Sequence, residues 1–252
     1  MPAPSELPDS LAPLARRNAI ELSHTRFGYD VDQIVAVIRA NLSARPVKPK
    51  ADAPAIKRKI DAINGLRAAL INATDSPLYA YRVANKLMPV LGDGDPDAGI
   101  IFIGESPGKT EAAEGRPFVG ASGKVLDELL DGIRLKRADV FITNLVLDHP
   151  GSREPLPEEI AFYAPYVDRL IEVIAPKVIV PLGRFAAHYL LKKHDLPEKG
   201  RAISALHGTM LPATLAYGDI HIVPMLHPAV VLYQSSQRET LKRGFETLRT
   251  FV

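Results

Sequence analysis

The chain has 252 residues, of which 46% are hydrophobic and 24% charged, ordinary proportions for a folded protein that can bury a substantial core. This composition excludes wholesale disorder, collagen-like repeats and a coiled coil, and no apolar run reaches the ~18 residues of a membrane helix. Cysteine is absent, which removes disulfides, thiolate metal sites and thiol catalysis together, and 31 basic against 29 acidic residues give a formal charge of +2, permitting contact with a polyanion without demanding it.

The opening Met1-Pro2-Ala3-Pro4-Ser5-Glu6 has neither a basic region nor an apolar stretch, so no secretory signal is expected and the cytoplasm is the expected compartment. Residues 31–42 (VDQIVAVIRANL) have helical periodicity, and residues 43–54 (SARPVKPKADAP), with three prolines and three cations, read as an extended linker. Further helices are predicted over 55–71 and 77–87. The expected division is an N-terminal helical extension and linker over 1–54 and one α/β domain over 55–252. The extension either packs on that domain or serves as a tether.

From residue 99 short β-branched runs alternate with amphipathic segments. Strands are predicted at 100–103 (IIFI), 140–143 (VFIT), 178–182 (VIVPL) and 220–225 (IHIVPM). Helices are predicted at 122–133, 157–174, 184–193 and 236–251. Apolar runs without alternation indicate strands covered on both faces, hence a three-layer α/β/α sandwich around a central four-stranded parallel sheet. In such sheets ligands gather beyond the C-terminal strand ends. Chemistry stands at those ends here: Gly104-Glu105-Ser106-Pro107-Gly108 after the first strand, Asn144 after the second, Gly183-Arg184 after the third and His227-Pro228 after the fourth.

The run Gly104–Thr110 (GESPGKT) imitates a phosphate-binding loop but has three residues, not four, between its first glycine and the Gly-Lys pair. Glu105 repels a triphosphate and Pro107 removes a backbone donor, so nucleotide hydrolysis is not expected.

Taken in order, Gly104-Glu105-Ser106-Pro107-Gly108, Gly115-Arg116-Pro117-Phe118-Val119-Gly120, Ile142-Thr143-Asn144 and His227-Pro228 resemble family 4 of the uracil-DNA glycosylase superfamily. The resemblance covers roughly residues 70–250 and implies a four-stranded parallel sheet between helices. It implies that uracil is flipped out of DNA and excised by hydrolysis, leaving an abasic site. Catalytic roles fall to Glu105 and His227, and uracil binding to Gly104, Ser106, Phe118 and Asn144.

Each residue type suits its task. Phe118 offers a face on which a base stacks. The Asn144 amide presents a donor to uracil O4 and an acceptor to N3–H, whereas cytosine presents the opposite edge. An imidazole N–H of His227 stabilises charge developing on O2, and the Glu105 carboxylate stabilises an oxocarbenium-like sugar or orients a water at C1′. Glycines 104 and 108 let the backbone approach the base, and Ser106 offers a hydroxyl. Arg116, Lys124, Arg153 and Arg184 are candidate phosphate partners, joined by Ser235 and the Ser122-Gly123-Lys124 helix start. The Arg134–Arg137 (RLKR) run is expected to be a solvated face. The expected partner is uracil-containing DNA and the expected state a monomer.

Two departures from the family stand out. Members typically hold a [4Fe–4S] cluster on four cysteines, and the matching positions here are Ala73, Ser76, Asp148 and Tyr163, so no cluster and no other cofactor or metal is expected. A hydrogen bond between the Asp148 carboxylate and the Tyr163 phenol is a candidate replacement brace. The family's usual arginine six residues after His227 is Tyr233. A relative of the family captures the sugar covalently with a histidine in an Arg-rich loop; the corresponding segment 148–157 (DHPGSREPLP) is short and lacks the basic run, so His149 is expected to be an exposed turn residue. Two other functions remain to be distinguished: a glycosylase for hypoxanthine or xanthine, and a non-catalytic nucleic-acid-binding module.

Overall fold

A computed structural model describes residues 51–251. The helix expected over 31–42 and residues 43–50 of the linker lie outside them. The first described helix, α1 (Ala53–Ile71), starts within the predicted linker, because Asp52 caps it by accepting from the Ala55 N–H at 2.8 Å and Pro54 occupies its first turn.

Six strands follow: β1 (Asp93–Gly94), β2 (Ile100–Gly104), β3 (Phe141–Asn144), β4 (Val178–Pro181), β5 (Leu211–Leu215) and β6 (Gly218–Ile222). They form one sheet in the order β1-β3-β2-β4-β6-β5. The neighbours β3-β2-β4-β6 are parallel, which is the expected four-stranded core. The edge strands β1 and β5 are antiparallel additions that the sequence reading missed. β1 spans two residues, and β5 has one buried residue followed by alternating exposed and half-buried positions, so neither carries the unbroken apolar run by which buried strands are recognised.

Alternation along β2 divides the core. Ile101 and Ile103 face one layer, with α1, α5 (Pro157–Ile174) and α6 (Arg184–Lys193). Ile100 and Phe102 face the other, with α4 (Ala121–Gly132) and α9 (Arg238–Glu246). The remaining helices are short: α2 (Tyr79–Ala84), α3 (Lys109–Glu114), α7 (Ile203–Leu206) and α8 (Val230–Tyr233). The predicted helix over 77–87 is therefore only the short α2, and that over 236–251 divides into α9 flanked by 3-10 turns.

The chain leaves β2 for β3 on one side and later returns to β4 on the other. This places the topological switch between β2 and β4, and the crevice beyond their C-terminal ends is where an open α/β sheet binds ligand. No helix among the described residues is long and apolar enough to cross a membrane.

Candidate active site

The rim is assembled by register. Gly104, the last residue of β2, is paired with Asn144, the last of β3, and the Val146 N–H donates to the Glu105 carbonyl at 2.9 Å. On the other side the Leu182 N–H donates to the Ile103 carbonyl, and the Gly183 N–H to the Met225 carbonyl, bringing β4 and the His227 segment to the same edge.

Gly104 is essential to this approach. A Cβ there would overlap Asn144 Oδ1 and come 2.7 Å from Phe118 Cζ. The Phe118 ring also stacks on the His227 imidazole, with centroids 5.6 Å apart and planes at 29°. Gly183 (φ +91°) backs His227, since a Cβ there would lie 3.3 Å from the histidine Cβ. Asn144, Gly104, Phe118 and His227 thus form one continuous set of contacts, with Glu105 the next residue along the chain.

Asn144 is 1% exposed, and its Oδ1 has no hydrogen-bond partner among the described residues. A buried acceptor left unsatisfied is costly unless something else uses it. Glu105 is half-buried; burial raises its pKa above the usual carboxylate range, the nearby Glu154 carboxylate raises it further, and the Arg184 guanidinium opposes both. Burial pushes the His227 imidazole down to about 4, so it is neutral at physiological pH. Its Nδ1 accepts from the Ala229 N–H at 3.2 Å, which assigns the proton to Nε2. Ser106 is half-buried beside Glu105.

His149 departs from expectation. It is half-buried, and its Nδ1–H donates to the Pro107 carbonyl at 2.8 Å, tying the segment after β3 to the turn that carries Glu105.

The candidate phosphate partners differ in how they are held. Arg116 is exposed and pairs with Asp93 at 3.1 Å, while Lys124 is exposed in the first turn of α4. Arg184 is exposed, pairs with Glu154 and lies 4.2 Å over the Phe185 ring. Arg153 is bound to the buried Glu159 carboxylate, whose other contact is the Leu156 N–H at the start of α5. Ser235 is exposed in the turn after α8, next to Leu232 and Tyr233, the latter 87% exposed.

The positions that resemblance assigns to cluster ligands hold a buried polar network instead. The Tyr163 hydroxyl donates to Asp148 Oδ2 at 2.7 Å and lies 2.5 Å from Ser76 Oγ. Arg82, which the sequence reading did not single out, donates to the same carboxylate oxygen at 3.0 Å and to the carbonyls of Leu70, Ile71 and Ala73. An iron–sulfur cluster needs thiolates. Ala73 offers no side-chain donor atom, the other three side chains are engaged with one another, and a guanidinium is bonded into their midst, so these residues do not fit a cluster. Among the described residues no group of three or more His, Cys, Asp or Glu is arranged to hold a metal ion.

Arg137 corrects the reading of its charge run as a solvated face. It is half-buried and donates to the Phe118 carbonyl at 2.9 Å, to the Pro117 carbonyl, and to Asp127 at 3.0 Å. Glu111, likewise unremarked in the sequence, is buried and accepts from the Val119 and Gly120 N–H groups. No local pattern marks either residue, because their partners are backbone groups brought in by the fold.

Comparison with known proteins agrees with this geometry. The family model of the uracil DNA glycosylase superfamily matches residues 91–249. The chain is 36% identical over 192 residues to a type-4 uracil-DNA glycosylase of Sulfurisphaera tokodaii, covering 75% of this chain and 84% of the relative. It is 40% identical over 160 residues to that of Archaeoglobus fulgidus, covering 63% and 79% respectively. With the type-4 protein of Saccharolobus solfataricus the identity is 41% over 162 residues, covering 64% and 74%. On this match and this fold, the chain belongs to the uracil DNA glycosylase superfamily and is type-4-like within it.

Proposed function

We propose that this chain hydrolyses the N-glycosidic bond of uracil in DNA, leaving an abasic site for base excision repair, and that it does so without an iron–sulfur cluster or other cofactor. The observation that carries the reading is the buried Asn144 amide oxygen at the strand end, without a hydrogen-bond partner among the described residues and set against Gly104 and Phe118, which in turn stacks on His227. The type-4 relatives named above support the substrate.

A base inside a duplex is out of reach, so the nucleotide rotates out of the stack into the rim crevice. Uracil stacks on Phe118, with Gly104 and Ser106 lining its edge. Asn144 Oδ1 accepts from N3–H and Nδ2 donates to O4; cytosine would oppose donor to donor and leave buried groups unpaired. As the bond lengthens, negative charge moves onto the base. The neutral His227 donates from Nε2 to O2, and the interaction strengthens as charge develops, which lowers the barrier. The ionised Glu105 faces the sugar, stabilises its positive charge and orients a water for attack at C1′.

Arg116, Lys124, Arg184 and Ser235 meet backbone phosphates on the same rim; Arg153 does so only with the side of its guanidinium not bound to Glu159. The active unit is the α/β domain expected over 55–252 together with the start of α1 that precedes residue 55, the chain before it is an extension, and the unit works as a monomer in the cytoplasm. The Arg82–Asp148–Tyr163–Ser76 network takes the bracing role of the cluster.

An oligonucleotide assay tests the reading. Incubation of strands carrying one uracil, hypoxanthine or xanthine, followed by alkali, is expected to cut only at uracil. Cleavage at hypoxanthine or xanthine would reassign the substrate, and binding without cleavage would make the protein a nucleic-acid-binding module.

A further inference from the structure

Phe118 has φ +50°, a left-handed conformation that side-chain-bearing residues rarely adopt, and it is buried. Such a conformation persists only where the surroundings over-determine it. Here they act from both sides of the same peptide segment. On the N–H side, one oxygen of the Glu111 carboxylate accepts from Val119 at 3.1 Å and Gly120 at 2.8 Å. On the C=O side, Arg137 donates to the carbonyls of Phe118 and Pro117, and its guanidinium is steadied by Asp127 of α4.

The fit around these two side chains is close. A Cβ on Gly108 would come 2.5 Å from Glu111 Oε2 and one on Gly120 3.1 Å from Oε1, so both glycines make room for the carboxylate. A Cβ on Gly123 would overlap the Phe118 carbonyl, so the first turn of α4 lies directly on that peptide. The residue so held is the one whose ring rests on His227 and against Gly104.

We propose that Glu111 and Arg137 are positioning residues that clamp the Phe118 peptide from its two sides, imposing its left-handed conformation and keeping the ring stacked on His227 before a base arrives. The inference rests on the reading of Phe118 as base platform and His227 as donor. The clamp pre-organises both: the ring does not have to be ordered on binding, and it shields one face of the imidazole from water. With the clamp broken, the segment relaxes toward an ordinary φ, the ring leaves the imidazole, and the site is assembled only part of the time. Misplacement on the scale of 1 Å costs on the order of 100-fold in rate.

The experiment compares Glu111→Ala, Arg137→Met and the conservative Glu111→Gln, which keeps an acceptor oxygen. Three measurements are made: single-turnover excision from a uracil-containing strand, affinity for that strand, and the NMR titration midpoint of His227. Expected for Glu111→Ala and Arg137→Met is a loss of on the order of 100-fold in single-turnover rate, with strand affinity little changed, and a His227 midpoint raised from about 4 as water reaches the ring. Glu111→Gln keeps a neutral hydrogen bond of roughly half the strength and stays close to the wild type in both readouts. Leu190→Ala, in the opposite core layer, supplies a destabilised control that moves neither readout. Wild-type rate and wild-type His227 midpoint in folded Glu111→Ala and Arg137→Met would overturn the clamp, as would equal changes in both readouts in the Leu190→Ala control. Should one variant not fold, the other decides. If the wild type excises nothing, the functional reading fails, and the His227 midpoint alone still judges the clamp.

Discussion

The Tyr163 hydroxyl donates to the Asp148 carboxylate at 2.7 Å across a wholly buried contact between α5 and the segment after β3. Arg82 completes it from α2, and its fork also gathers three carbonyls at the end of α1 and just beyond. Elements distant in sequence are thus joined by hydrogen bonds where the family resemblance would place a metal cluster. Asp148 also immediately precedes His149, whose ring reaches the Pro107 carbonyl in the Glu105 turn, so the brace is continuous with the site.

Breaking that pair from one side leaves a buried charge without its counter-ion. Arg82→Met is therefore expected to destabilise the fold by about 3–5 kcal/mol. For a domain of this size the melting temperature falls by roughly 10 °C. Tyr163→Phe, which removes one hydrogen bond to the carboxylate, is expected to cost about 1–3 kcal/mol. Calorimetry of the two variants checks both, and unchanged melting in Arg82→Met would show that the network braces nothing.

On the proposed reading, a protein braced in this way needs no iron. Elemental analysis of the purified chain is expected to find no stoichiometric iron, and treatment with a strong iron chelator or ferricyanide is expected to leave melting temperature and excision rate unchanged. A loss of either on chelation would contradict the network's role.

Asn144→Ala removes the only side chain proposed to read the Watson–Crick edge. On the scale of a lost pre-organised donor, single-turnover excision is expected to fall on the order of 100- to 1,000-fold. Melting should change little or rise, because the substitution also removes a buried acceptor with no partner among the described residues. Equal loss of stability and rate would instead assign Asn144 to the scaffold.

The pH dependence follows from two shifts of opposite direction. Glu105 must be ionised and its pKa is raised, so the rate climbs with pH through a midpoint above the usual carboxylate range. His227 must be neutral and titrates at about 4, so it adds no limb across neutrality. Glu105→Gln is expected to abolish the ascending limb along with most of the activity. The sign for stability is the reverse. A carboxylate whose folded pKa is raised favours the native state most at acid pH and loses that contribution as pH rises through the folded value. Glu105→Gln should therefore raise the melting temperature at neutral pH and not below the pKa of an unfolded glutamate. Rate profiles and melting curves over the same pH series test both halves.

Much of this was legible in the chain itself. Four apolar runs fixed the parallel core, because a strand buried on both faces needs unbroken hydrophobicity, and residues just past those runs had to meet on one rim. The absence of cysteine alone excluded a thiolate-held cluster, and the proximity of Asp148 to Tyr163 followed from the family motifs. What the chain did not reveal depends on contacts between segments far apart. The edge strands β1 and β5 lack an unbroken apolar run, since one is two residues long and the other is mostly exposed or half-buried. Arg82, Glu111 and Arg137 bind backbone groups 8 to 20 residues away in sequence, or a carboxylate 66 residues away, and no local pattern encodes such a partner. The same holds for the neutral His227: its residue type and the Ala229 N–H that fixes its tautomer, two residues on, are local, but its burial and its stacking exist only once the strands have brought it under Phe118.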